Sequence, residues 1–117
     1  MLRLWRATIN SRNGLAFAIR SEQAVREELV ALILSLPLAW AVGATVMRSV
    51  ELVCAVVLVL VVELLNTAIE KLADRLTTDR DPKIANVKDM GSAAVGVALL
   101  AAGALWLFAL AERLGVI

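Results

Sequence analysis

A chain of 117 residues has room for one domain, and 61% of its residues are hydrophobic, well above the roughly 45–50% apolar content of a soluble domain. Mean hydropathy is +0.82 and the formal net charge is +1, which offers no basic surface for nucleic acid. There is no His, which removes imidazole acid–base chemistry and most zinc sites, and the single Cys54 lies in an apolar run, where it reads as packing and forms no intrachain disulfide.

Segment 1–28 is amphipathic. Leu2, Trp5 and Ile9 recur at helical spacing with Arg3, Arg6 and Arg12 around them, the pattern of a helix lying in the headgroup layer. Asn13-Gly14 predicts a break, and a second amphipathic stretch, 15–28, leads on. The segment reads either as a membrane-surface anchor or as a lid over an interfacial site. Residues 29–47 then carry no charge, although Pro37 sits among them; membrane helices accept an internal proline when neighbours satisfy the freed backbone. Residues 50–70 are mostly Val and Leu, with Glu51 near one end and Glu63 well inside. Residues 90–111 form the last apolar run. Each run approaches or exceeds the ~20 residues that cross ~30 Å of hydrocarbon. The fold class expected is an all-α integral membrane protein with three transmembrane helices and an N-terminal surface helix, 1–117 forming one domain.

Ala39-Trp40-Ala41 has the form of a signal-peptidase site, but segment 1–28 is far too long for an n-region. Charge sets the orientation. Ten of the 12 basic residues lie in 1–28 or in the 71–89 loop, and only Arg48 and Arg113 fall on the other side. The positive-inside rule puts the N-terminus and the 71–89 loop in the cytoplasm, and the 43–50 turn and C-terminus outside.

Charge at bilayer depth costs about 2.5–3.5 kcal/mol even on the lenient insertion scale, so Glu63 needs a reason. Asn66, Glu70 and Asp74 follow at helical spacing, and the four fall close to one face that rises toward the cytoplasmic edge. Lys71 and Arg75 lie nearby and offset part of that charge. Glu22, Arg26, Glu27 and Glu28 form a second cluster at the same level, and Lys88-Asp89, followed by Gly91 and Ser92, a third. Taken singly, Glu27, Glu28, Asp79 and Asp81 read as solvated charges, and Ser92 with Gly96 as a small-residue packing face. Glu63 with Asn66 resists that reading, because both sit in the apolar part of a span. Interfacial carboxylates suit Mg2+, which takes oxygen ligands and usually brings phosphate; one more carboxylate suits a general base toward a hydroxyl; Lys88 suits phosphate charge. Together these are the parts of a phosphoryl-transfer site, without a Gly-rich phosphate loop or the protein-kinase motifs.

Glu63-Leu64-Leu65-Asn66-Thr67-Ala68-Ile69-Glu70 followed by Asp74-Arg75 resembles the signature of the prokaryotic diacylglycerol kinases and the related undecaprenol kinases. Lys88-Asp89-Met90-Gly91-Ser92-Ala93-Ala94-Val95 and Ser21-Glu22-Gln23-Ala24-Val25-Arg26-Glu27-Glu28 resemble two further segments of that family. The resemblance covers nearly the whole chain. It implies a homotrimer in the bacterial inner membrane, with sites shared between subunits, that transfers the ATP γ-phosphate to diacylglycerol and makes phosphatidic acid at the cytoplasmic face. It implies Glu63 as general base, Asn66 orienting base or substrate, and Glu22 and Glu70 holding Mg2+ with the ATP phosphates. Lys88, Asp89, Arg3 and Asp79 would contact nucleotide, and Arg26, Glu28, Glu63 and Ser92 the lipid. The chain departs from the family in lacking the Tyr and His often found in the cytoplasmic loop, in carrying Val25 for the usual Phe, and in a short N-terminus. Undecaprenol kinase is the nearest alternative, and a cation- or proton-conducting oligomer the alternative of another class.

Overall fold

The charge-free runs and the helices that contain them differ in length. The computed structural model describes residues 1–117, which form four α-helices: α1 (Leu2–Ser21), α2 (Gln23–Val42), α3 (Val46–Leu76) and α4 (Pro82–Arg113). Capping chemistry sets two of the starts. The Thr45 side chain accepts from the Arg48 amide at the head of α3, and Asp81 accepts from the amides of Lys83 and Ile84 at the head of α4, with Pro82 at the first helical position.

Three expectations change. The break at Asn13-Gly14 is absent: α1 runs through it and stops at Glu22, whose backbone is extended (φ −126°, ψ 119°). A glycine inside a helix costs only about 1 kcal/mol relative to alanine. The ending is instead made at Ile19 and Arg20, whose carbonyls accept from the Arg26 guanidinium at 2.8 and 3.2 Å; they are among the last carbonyls of the helix, the ones that lack intrahelical partners. Second, the 43–50 turn shrinks to Gly43, Ala44 and Thr45 between α2 and α3. Third, most of the 71–89 loop is helix, since α3 continues to Leu76 and α4 begins at Pro82.

α3 is the central element, packed on α2 on one side and α4 on the other. Two apolar clusters mark the ends of this antiparallel arrangement. Ala39 of α2, Leu52 of α3 and Ala109 of α4 meet at one end; Ala18 of α1, Val25 of α2 and Leu60 of α3 meet toward the other. At the first end the approach is close enough to require glycine: a Cβ on Gly43 would lie 2.3 Å from Ser49 Oγ, and that hydroxyl donates to the Ala39 carbonyl at 2.8 Å.

α3 and α4 are both long and apolar enough to cross a membrane, with mean hydropathy of 2.6 and 2.3 over their best windows. α2 is not one of these, because Arg26, Glu27 and Glu28 occupy its first turns; its uncharged stretch 29–42 extends about 21 Å. Only 14 of 117 residues are buried, and the chain exposes 8592 Å², against about 6,200 Å² for a compact soluble chain of this mass. Many large apolar side chains contribute to it: Leu100, for example, is 76% exposed. Such a surface is stable in lipid or against other apolar protein, not in water.

Candidate active site

The acidic face of α3 meets α4 through one residue without a side chain. Asn66 is buried, and a Cβ on Gly91 would stand 2.2 Å from its Oδ1. Any side chain at 91 would force the Asn66 amide to shift at this crossing. Asn66 Nδ2 donates to Glu70 Oε1 at 3.2 Å, one turn on, while its Oδ1 is buried with no hydrogen-bond partner. An orphaned buried acceptor in an otherwise apolar contact costs about 1–3 kcal/mol, and unpaired groups of this kind concentrate at functional sites.

Glu63 lies one turn deeper and pairs with no cation. Glu28, Glu70 and Glu22 all lie near enough to act on its carboxylate electrostatically. The fold therefore brings Glu22 and Glu28, from the α1–α2 junction, to the carboxylates of α3, as the sequence reading expected. Glu28, just ahead of the 29–47 run, has its carboxyl pushed above the ordinary range by burial first and by the neighbouring Glu27 second. Glu27 itself accepts from Gln23 Nε2 at 2.9 Å. Glu22 is held by Lys71, whose Nζ lies 2.8 Å from Glu22 Oε1.

On the α4 side, Lys88 forms an ion pair with Asp74. Asp79 and Lys88, with Thr77 and Thr78, line one polar hollow beside that pair. Asp89 and Ser92 are exposed on α4. Arg3 stands apart: it is exposed in the first turn of α1, about 28 Å along the helix from Glu22, so one copy of the chain does not bring it to the cluster. Arg26 is occupied with the α1 carbonyls and makes no ion pair.

Two residues gain roles that the sequence reading did not give them. Asp74, on the acidic face, holds Lys88. Lys71 reaches Glu22 across the junction rather than softening the charge of its own helix. Neither partner is visible from spacing, because each pairing joins different helices.

The family model for prokaryotic diacylglycerol kinase matches residues 9–110. The chain belongs to the prokaryotic diacylglycerol kinase family. Among similar proteins, the diacylglycerol kinase of Escherichia coli (strain K12) is 36% identical over 113 residues, covering 97% of this chain and 93% of the relative. That of Haemophilus influenzae is 36% identical over 100 residues (86% and 85%), and that of Pseudomonas aeruginosa 36% over 104 residues (89% and 85%). The acidic face of α3, the Glu22 junction and the start of α4 all lie inside the matched region. A kinase of this family is an ATP-dependent lipid phosphotransferase, and the charged groups gathered at one level of a largely apolar molecule fit that chemistry.

No three acidic or cysteine side chains are grouped closely enough to form a metal cage. Mg2+ seldom needs one: it is usually held by one or two carboxylates, with substrate phosphates and water completing the shell. Glu22 and Glu70 fit that mode, both being hard oxygen donors, and Glu22 already accepts a cation in the form of Lys71.

Proposed function

We propose that this chain transfers the γ-phosphate of ATP to the free hydroxyl of diacylglycerol at the cytoplasmic face of the bacterial inner membrane, giving phosphatidic acid. The observation that carries the reading is Glu63: a carboxylate in an apolar part of α3, with no cation partner and with three other carboxylates close enough to act on it electrostatically. A general base toward a neutral lipid hydroxyl must be reachable from the bilayer and free of a competing counter-ion, and Glu63 meets both conditions.

In this mechanism Glu63 takes the proton of the lipid hydroxyl as its oxygen attacks the γ-phosphorus, and the bond to the β-phosphate oxygen breaks as ADP leaves. Asn66 orients the reacting groups, its Oδ1 being a buried acceptor without a partner. Glu22 and Glu70 would hold Mg2+, which would screen the phosphate charge. Lys88 contacts the phosphates, with Asp74 fixing its position; Asp89 and Asp79 contact the rest of the nucleotide. Arg26, Glu28 and Ser92 border the lipid route.

Three helices cross the membrane in this reading, the spans 29–47, 50–70 and 90–111, with α1 on the cytoplasmic surface and the C-terminus outside. The assembly is a homotrimer. Two observations agree with an assembly of several copies: the many large apolar side chains exposed on one copy, and the distance of Arg3 from its own Glu22, which leaves its expected nucleotide contact to another copy's site.

The test is Mg-ATP-dependent phosphorylation by purified protein across a lipid panel containing diacylglycerol and undecaprenol. The expected product is phosphatidic acid. Preferential labelling of undecaprenol would move the chain to the polyprenol branch, and no labelled lipid at all would remove the reading.

A further inference from the structure

The surface helix α1 is held to the rest of the molecule by very little. Every residue from Leu2 to Leu15 is exposed, and Ala18 is its one buried residue. Three contacts at its last turn do the holding. Ala18 packs with Val25 and Leu60, and Ile19 packs against the same cluster. Arg26 closes the carbonyls of Ile19 and Arg20. Lys71, from the last part of α3, reaches across the junction: its Nζ lies 2.8 Å from Glu22 Oε1 and 5.0 Å from the centre of the Phe17 ring.

The first two contacts do not depend on the state of Glu22. The third does, and Glu22 is the carboxylate read above as a metal ligand. An ammonium this close to a carboxylate repels a dication arriving on the same group, since like charges at such separation interact strongly even near a surface. Metal binding therefore weakens the Lys71 contact. By reciprocity Lys71 weakens metal binding by the same factor.

We infer that Lys71 is a positioning residue that occupies the Glu22 carboxylate and pins α1 through Phe17 while no metal is bound, so that metal binding at Glu22 and release of the last turn of α1 form one linked equilibrium. The inference rests on the reading of Glu22 as a metal ligand. Its consequence is directional. The surface helix is loosest when the nucleotide site is loaded, which is when a lipid hydroxyl has to reach Glu63.

The test is amide hydrogen exchange over residues 15–22 in the full chain held in lipid discs, with and without Mn2+. In the wild type, Mn2+ should speed exchange about three- to tenfold, the range expected for loss of one exposed ion pair together with a cation–π contact. Lys71→Met should exchange at that faster rate without metal and respond no further. Lys71→Arg, which keeps the charge and the ring contact, should restore the wild-type response. Lys71→Met exchanging like the wild type without metal would overturn the tether. Phosphatidic acid formation measured on the same wild-type preparation separates the two readings: a preparation that phosphorylates diacylglycerol while its α1 ignores Mn2+ overturns the linkage and leaves the kinase reading standing.

Discussion

The two ends of the helical bundle are built on opposite terms. At the end where α2 turns into α3, every polar group named has a partner. Arg48 bonds Glu112 at 3.0 Å and Glu51 at 3.2 Å, and its guanidinium lies 5.1 Å from the Phe108 ring centre. Ser49 donates to the Ala39 carbonyl, and the Trp106 indole donates to the Leu52 carbonyl at 3.2 Å. At the other end, Glu63 has no cation, Asn66 Oδ1 has no donor, and Glu28 is half-buried beside Glu27. Satisfied groups fix a structure; unsatisfied ones are poised to take a ligand. In the proposed function the paired end supplies stability, and the end where Glu63 and Asn66 Oδ1 stand without partners supplies the chemistry.

The largest expected effect breaks the reactive end. Glu63→Gln should lower phosphoryl transfer by about 10²–10⁴-fold, the usual contribution of a general base, while membrane insertion and assembly persist. Activity near the wild-type level would remove Glu63 from the chemistry. The two glycines then sharpen the comparison, because each sits at a close crossing of one end. Gly91→Ala puts a Cβ against Asn66 Oδ1 and displaces the residue proposed to orient the reacting groups, so turnover should fall on the order of 10²-fold, beyond any loss of folded protein. Gly43→Ala meets Ser49 in the same way. It should cost about 1–3 kcal/mol of stability as overpacking and leave turnover per folded molecule unchanged. Equal effects of the two substitutions on turnover would dissolve the distinction between the ends.

Smaller effects follow from single charges. Glu112→Gln removes the main partner of Arg48 and should lower the thermal midpoint with no change in turnover, an effect that shrinks with added salt. Glu28→Gln should do the reverse. Its folded carboxyl titrates above the ordinary 4.5, so the stability it contributes in acid is lost as pH rises through and above that value. The glutamine variant should therefore melt about 1 °C higher at neutral pH, with the difference fading as pH falls toward 4.5. An unchanged difference across that range would show that burial of Glu28 is not what the variant relieves.

Legibility in the sequence followed the range of the interactions. The acidic face of α3 was readable because Glu63, Asn66, Glu70 and Asp74 share one helix, where spacing alone fixes direction. The same spacing said nothing about Gly91, whose role exists only because α4 passes over Asn66. The end of α1 was misplaced for a similar reason. Asn13-Gly14 is a local turn signal, but the helix ends where Arg26 of the next helix supplies hydrogen bonds to its carbonyls. Thr45 and Asp81-Pro82 are local caps legible in the sequence, and they, rather than the ends of the charge-free runs, set where α3 and α4 begin.

The sequence by itself determined the solvent in which this protein lives, the family to which it belongs, and which carboxylates share a helix face, since composition, motif and period are properties of one strand of chain. Only the tertiary structure decided that Lys71 answers Glu22, that Asp74 holds Lys88, and that Glu63 is left without a cation. Those outcomes depend on distances between helices, and an ion pair forms between whichever charges the packing brings within reach, not between those nearest in sequence.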